Sequence, residues 1–324
     1  VRRHRLISVL DILAIVATAV AVLALASRNL PCLHRAVLAT AALSPYLAVG
    51  APVAAVLFGL TRNWVGVAAA GALTVASVWV RWRWYVSVKA DGEVGVRVVS
   101  ANLRYGRADA VGVVRLADNA DILAVQELTP EKAEQIEAAG IGAVLPHRYL
   151  RAREGPAGVG IWSRYALSAC RDYDEFWLGL ITARVALPGL DGQATVATTH
   201  MSAPWPDPMK GWRDDLARLA EVLGEIGASA PGPVIVAGDL NATPDVREFR
   251  RLLRGGYRDA AEQAGAGLTR THPADILLPP VFAVDHILLR GATATVVRTA
   301  AIPGSDHRAL LAVVSPDDQT VMKL

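Results

Sequence analysis

Apolar positions along the chain fall into two textures. Residues 6–27 are interrupted by charge only at Asp11, residues 36–61 carry none across twenty-six positions, and residues 64–80 carry none across seventeen. Roughly 20 helical residues cross a bilayer's hydrocarbon core, so these stretches predict three transmembrane helices, the third spanning if Arg81 and its neighbours snorkel. At 79–85 the sequence WVRWRWY interleaves Trp79, Trp82, Trp84 and Tyr85 with Arg81 and Arg83, as an interfacial anchor does. The first stretch follows VRRHR and passes Ala24-Leu25-Ala26, the layout of a signal peptide. Asp11 near its start and the two apolar runs behind it favour three helices instead, with Arg62-Asn63 joining the last two as a hairpin.

From Gly92 onward, short apolar runs alternate with turn residues and amphipathic segments, the pattern of an α/β domain. EVGVRVVSANL, ADILAVQEL, GVGIWSR, ITARVAL, ATVATTH, VIVAGDL, FAVDHILLR, ATVVRTAAI and ALLAVVS read as strands. After the second of these, Thr129 is placed to cap a helix that has Pro130 at its first position and Gly140 past its end. Further helices are expected from about Lys210 to Ile226 and from Asp245 to Leu253. ITARVAL with ATVATTH, and FAVDHILLR with ATVVRTAAI, are neighbours joined by short links, which implies antiparallel pairing. The expected fold is therefore a four-layer sandwich of two mixed sheets flanked by helices. It occupies residues 92–324, behind a membrane region at 1–91.

Composition sharpens this division. The apolar fraction of 53% exceeds that of ordinary soluble domains. Residues 1–93 hold nine Lys or Arg against three Asp or Glu, whereas the remainder hold twenty-four against twenty-seven. The basic balance thus belongs to the first third, and the rest carries no general nucleic-acid-binding charge. Arg outnumbers Lys by twenty-nine to four, which fits a GC-rich bacterial genome. Cys32 and Cys170 form neither a disulfide framework nor a metal cluster. With the N-terminus inside, Arg2, Arg3, Arg5 and Arg62 face Arg28, Arg35, Arg81, Arg83 and Lys89 across the bilayer, which decides little. The three arginines before the first helix favour N-inside, and an odd number of spans then places the domain outside the cytoplasm of a bacterial cell, behind a multi-pass anchor.

Polar residues recur where apolar strands end. Asn102 follows VRVVSA, Glu127 follows ILAVQ, His200 follows TVATT, Asp239 and Asn241 follow VIVAG, Asp285 follows FAV, and Asp306-His307 follow PGS. Singly, Asn102 suits a turn, Glu127 a helix-proximal charge, His200 a core position and Asp285 an arginine partner. Together, at successive strand ends, they supply what metal-assisted phosphoester cleavage needs. Hard divalent cations take oxygen ligands, water needs a base, and a histidine oriented by a carboxylate provides one. Charge developing on the phosphoryl oxygens is met by a metal, His and Asn donors.

The ordered series SANL, VQE, GVGIWSR, TTH, GDLN, VDHILL and GSDHR resembles the endonuclease/exonuclease/phosphatase (DNase I-like) superfamily over about residues 95–315. Bacterial members with hydrophobic N-terminal helices resemble the whole chain. The resemblance implies a hydrolase of phosphodiesters that uses Mg²⁺ or Mn²⁺. It would make Glu127 a metal ligand, with Asn102 and Asp306 close to the ion. His307 would be the general base or the electrostatic partner of the phosphate, held by Asp285. Asp239 would position or activate water, and Asn241 and His200 would contact the phosphate. One departure is visible: many relatives have an aromatic before Pro where this chain has Thr271-His272-Pro273, so His272 either faces the site or, as expected, is a loop histidine.

The substrate stays open between nucleic acid and a phospholipid head group. Arg247, Arg250, Arg251 and Arg254 form one helix face, expected to be solvated. SAPWPDPMKGW puts Trp205, Met209 and Trp212 beside the site, either to meet lipid or bases or to pack the following helix. The expected partners are the lipid bilayer, through the N-terminal helices, and the phosphoester. A phosphomonoesterase and a non-catalytic membrane-bound binding module are the alternatives. A transport role is disfavoured because Asp11 is the lone ionisable group in the spans.

Overall fold

The apolar runs of the later part of the chain have no polar side because the strands they form are covered on both faces. In β1 (Val96–Asn102), Val96 and Val98 pack between two sheets, while Val99 and Ala101 face an outer layer with Val113, Ile136 and Ile141. β2 (Ile122–Gln126) repeats the division, with Ile122 and Ala124 on the first side and Leu123 and Val125 on the second. Each buried Val, Leu or Ile contributes about 1.5–3 kcal/mol relative to exposure.

The computed structural model describes residues 2–87, 95–189 and 192–317. The expected boundary at Gly92, Lys89 and the side chains of Arg2, Arg3 and Arg5 lie outside the described residues. The chain divides into two compact units, Val1–Trp82 with Thr243–Arg250, and Arg83–Ala242 with Arg251–Leu324.

The first unit contains helices Arg2–Ser27, Arg35–Ala42, Ser44–Leu47, Gly50–Thr61 and Trp64–Trp79. Val9–Ser27 and Ser44–Thr61 are long and apolar enough to cross a membrane. The expected run at 36–61 is broken after Ala42, where Pro45 opens a new helix with no amide hydrogen to continue the old one. The expected third span is a shorter apolar helix. Trp64–Trp79 has 16 residues, about 24 Å of helix against a core of about 30 Å. Arg81 does not snorkel to extend it. Its guanidinium is buried, donating to the Ser77 carbonyl at 3.0 Å and to Ser44 Oγ at 2.7 Å, and it lies 3.2 Å from Asp245. Two candidate spans among the described residues do not support the odd count from which an extracytoplasmic domain followed. Asp11 has a partner in Thr61 Oγ1, which donates to it at 2.6 Å.

Segment 243–250 belongs to this unit through polar contacts. Buried Asp245 pairs with both Arg28 and Arg81, and Glu248 accepts from the Cys32 amide at 2.8 Å. Arg250 donates to the Asp245 carbonyl at 2.7 Å and to the Arg28 carbonyl. The solvated face expected of helix Arg247–Leu252 therefore fails at Arg250, which is spent on carbonyl oxygens.

The second unit holds two mixed six-stranded sheets among the described residues. The further strands are β3 (His147–Arg151), β4 (Val159–Ser163), β5 (Leu167–Asp172), β6 (Leu180–Val185), β7 (Ala194–His200), β8 (Val234–Asp239), β9 (Arg258–Asp259), β10 (Asp285–Arg290), β11 (Ala292–Ala301) and β12 (Arg308–Pro316). One sheet runs β11-β12-β1-β2-β4-β3 and the other β5-β6-β7-β8-β10-β9. Only β1 with β2 and β7 with β8 pair in parallel among the described residues. Helices cover the outer faces. Met209–Ser229 buries Trp212, Leu216, Leu219, Leu223 and Ile226 at helical spacing, and Pro130–Ala138 is capped by Thr129, whose hydroxyl accepts from the Lys132 amide.

Pairing of ITARVAL with ATVATTH appears as β6 with β7. FAVDHILLR and ATVVRTAAI do not pair. β10 and β11 lie in different sheets, because Gly291, at φ +68°, turns the chain from one sheet to the other. β3 and β5 were not legible as strands. They are sheet edges whose exposed residues show no apolar alternation.

Gly238 of β8 lies opposite Thr199 of β7. A Cβ there would stand 2.0 Å from the Thr199 carbonyl oxygen. Gly238→Ala is expected to destabilise the protein by about 2–3 kcal/mol, read as a lowered thermal midpoint of the full chain in detergent; an unchanged midpoint would refute the close approach.

Candidate active site

Strand register brings the polar strand ends together. β8 and β10 are antiparallel with Asp239 opposite Asp285, and parallel β7 sets His200 beside Asp239. In the other sheet, Asn102 ends β1 beside Gln126, and Glu127 follows at once. Asn102, Asp239 and Asp285 are fully or almost fully buried, and Glu127, His200 and His307 nearly so.

Hydrogen bonds join the two sets. Asn102 Nδ2 donates to Glu127 Oε1 and to Asp239 Oδ2, each at 3.0 Å, while its oxygen accepts from the Arg104 amide at 2.9 Å. Glu127 Oε2 accepts from the Tyr105 amide at 2.6 Å. Asp239 Oδ1 accepts from the Asn241 amide at 2.9 Å, and Asn241 Nδ2 donates to the Met201 carbonyl at 2.9 Å. His200 turns Nδ1 to the Pro156 carbonyl at 3.1 Å, so Nε2 faces Asp239 at 3.6 Å and Asn241 at 3.5 Å. His307 Nδ1 meets Asp285 Oδ2 at 2.8 Å, which leaves Nε2 3.6 Å from Asp239. Asp306 is more open, with Oδ2 3.7 Å from Arg104 Nε.

Electrostatics follow from this packing. Burial opposes a charged His307 ring, yet Asp285, Asp239 and Asp306 outweigh it and push His307 up to about 10. Burial likewise works to raise Asp285, and the His307 charge holds its carboxyl below the usual range. Four non-glycine residues with positive φ sit here: Arg104, Tyr105, Glu127 and Asn241. Such conformations cost about 1–3 kcal/mol each and persist where surrounding bonds impose them.

Several supporting residues were missed in the sequence. Ser305 Oγ donates to the Asn102 carbonyl at 2.8 Å and accepts from the His307 amide at 3.0 Å, tying one loop to β1. His286 lies under the GDLNA turn, with Nδ1 2.6 Å from Asp259 and Nε2 2.9 Å from the Ala242 carbonyl. Its position beside Asp285 was the available signal, but alternation alone assigns it to a strand face. Trp212 is buried and donates to the Asn241 carbonyl at 3.0 Å, whereas Trp205 stays exposed. The expectation for His272 is corrected: its ring centroid lies 4.5 Å from that of His307, because the 271–282 loop folds back through His272–Phe282 backbone bonds.

The donor set fits a hard divalent cation. Asp239, Asp285 and His307 bring ligand atoms within 4.8 Å of one another, as do His272, Asp306 and His307. Asp285 Oδ1 is buried without a hydrogen-bond partner among the described residues. The carboxylate oxygens of Asp239 and Asp285, with that of Glu127 joined to Asp239 through Asn102, are the hard ligands this cluster offers a divalent cation.

The sequence model of the Endonuclease/Exonuclease/phosphatase family matches residues 99–307. The chain belongs to this family. Members of the Endonuclease/Exonuclease/phosphatase family are hydrolases acting on phosphoester bonds, and that is the enzyme class of this chain. Solved structures share the fold. D. rerio TDP2 complexed with a single-strand DNA product has a TM-score of 0.56 at 17% identity, covering 69% of this chain and 100% of that one. An AP endonuclease from Archaeoglobus fulgidus gives 0.55 at 17%, over 67% and 98%. The 3'-5' exonuclease NExo from Neisseria meningitidis gives 0.53 at 18%, over 68% and 100%. Among curated proteins no sequence matches significantly.

His286 offers a pH test. Burial disfavours its charge, but Asp259 and the Ala242 carbonyl raise the ring above its ordinary 6.5. Its stabilisation is therefore fully present below about pH 6.5 and fades as pH rises through the higher folded-state value. Asp259→Asn is expected to cost about 2 kcal/mol at pH 6, with the gap to wild type narrowing as pH rises in chemical denaturation series. A gap that widens with pH would contradict the charged pair.

Proposed function

We propose that the protein is a membrane-tethered, divalent-metal-dependent phosphodiesterase whose catalytic domain is residues 92–324. The observation that carries this reading is the convergence of Glu127, Asn102, His200, Asp239, Asn241, Asp285 and His307 from two sheets onto one buried cluster. Tethering is supported by the apolar helices Val9–Ser27 and Ser44–Thr61.

Glu127 would hold the metal, with Asp306 beside it and Asn102 fixing the Glu127 carboxylate. Mg²⁺ or Mn²⁺ bound there supplies Lewis-acid stabilisation of the phosphoryl oxygens. Asp239, anchored by the Asn102 and Asn241 donors, keeps its carboxylate toward the cluster, where it orients the attacking water and draws off its proton. Asp285 fixes the His307 ring with Nε2 inward, so the ring meets the charge that builds on the phosphate. His200 is set by the Pro156 carbonyl to present Nε2 to the same space, and Asn241 adds an amide donor beside it.

Purified full chain in detergent should hydrolyse bis(4-nitrophenyl) phosphate with Mg²⁺ or Mn²⁺ and stop on addition of EDTA. Asp239→Asn and His307→Gln should each lower turnover at least about 100-fold with folding intact by circular dichroism. Metal-independent turnover, or full activity in either variant, would overturn the assignment.

A further inference from the structure

The loop that carries His272 has a second property, unrelated to its stacking on His307. Thr271 and His272 bond to Phe282, and Val281 and Phe282 bond back to His272, which closes a short hairpin at its base. Its tip bears Ile276, Leu277 and Leu278, which are 51%, 106% and 68% exposed. Leu277 stands free on a convex apex. Such consecutive apolar exposure is unusual in a soluble surface, where large hydrophobics are scattered singly.

The hairpin is held at the mouth of the cluster. The Ala274 amide donates to the Asp306 carbonyl at 2.7 Å, and Asp275 pairs with Arg104 at 2.7 Å. Two amphipathic aromatics share this rim. Tyr105, 53% exposed, is bonded through its amide to Glu127, and burial first, then the charges of Glu127, Asp306 and Asp207, push its hydroxyl up. Asp207 belongs to the loop that carries Trp205, itself 69% exposed.

We propose that the 274–280 tip, with Trp205 and Tyr105, seats the mouth of the site on a lipid surface, so that the substrate is a phosphoester borne by a membrane lipid. The proposal rests on the phosphodiesterase reading above and adds the substrate class. Three side chains on a convex tip offer far less than the roughly 800 Å² per partner that a stable protein complex buries, but they suit insertion among acyl chains. Tyr and Trp at the edge of such a tip match the head-group level of a bilayer. The chain also carries its own apolar helices, which would keep a bilayer close. Of the cations at the mouth that a nucleic-acid backbone would call on, Arg104 is already committed to Asp275 and Asp306.

The test uses the full chain in proteoliposomes of phosphatidylcholine and phosphatidylglycerol. In a Cys170→Ala background, Leu277→Cys carries an environment-sensitive nitrobenzoxadiazole label, with Glu225→Cys on the exposed face of helix Met209–Ser229 as comparison. The label at 277 should emit to the blue of that at 225 and be quenched by brominated acyl chains. Emission at 277 equal to that at 225, without quenching, overturns the proposal whatever the activity. In parallel, Leu277→Ser with Leu278→Ser should lower turnover of the vesicle lipids at least about tenfold, while hydrolysis of bis(4-nitrophenyl) phosphate is unchanged. Equal lipid turnover in variant and wild type, or a wild type that cleaves DNA or RNA but not vesicle lipid, also overturns it. Loss of the soluble diester activity in the wild type would instead sink the phosphodiesterase reading, and the label would still report on the tip.

Discussion

Two buried carboxylates facing each other across adjacent strands are the constraint around which the domain is arranged. Asp239 and Asp285 are paired in register on β8 and β10, both cut off from solvent. Like charges so placed repel, and their repulsion must be met by positive charge and donors brought from elsewhere. His307 supplies the charge from the loop before β12, and Asn102 supplies a donor from the end of β1. Both of those strands belong to the opposite sheet. The sheets are thus tied edge to edge by an electrostatic need as well as by their shared apolar layer.

Below that edge, a polar contact crosses the apolar layer. Gln126 Nε2 donates to Thr198 Oγ1 at 3.0 Å, joining β2 to β7 immediately beneath Glu127 and His200. The directionality of this hydrogen bond favours one relative position of the sheets, while Gln126 Oε1 is buried without a hydrogen-bond partner among the described residues. Glu127 directly follows Gln126, and His200 lies two residues after Thr198. Their separation is therefore controlled from underneath, with Glu127 further held by its left-handed backbone.

The parts of this architecture that were legible in the sequence are those with strong local signals. Central strands covered on both faces gave long apolar runs, and the polar residues terminating them stood out by contrast. Thr129-Pro130 marked a helix start through capping chemistry that needs no tertiary partner. The parts that were not legible depend on contacts distant in sequence. β3 and β5 exist because a neighbouring strand offers hydrogen bonds, and nothing in HRYLR or LSACRD announces it. FAVDHILLR and ATVVRTAAI looked like a hairpin because adjacency usually means pairing; the turn at Gly291 sends them to separate sheets. His272 and His286 differ from an ordinary loop or core histidine only through what folds against them. Residues 64–80 looked like a membrane span by composition, but the helix stops at Trp79 and Arg81 turns inward to Ser44, Ser77 and Asp245.

The spread of the cluster along the chain bears on how such a protein can diverge. β1 to β4 bring Asn102 and Glu127, and β5 to β12 bring His200, Asp239, Asn241, Asp285 and His307. No contiguous half of the domain holds the whole cluster, so the cluster forms only when both halves are present. Variation is left to segments that emerge from the rim without crossing between sheets. Loops on the rim can change without disturbing this floor, whereas the floor itself is assembled from nearly the whole length of the domain.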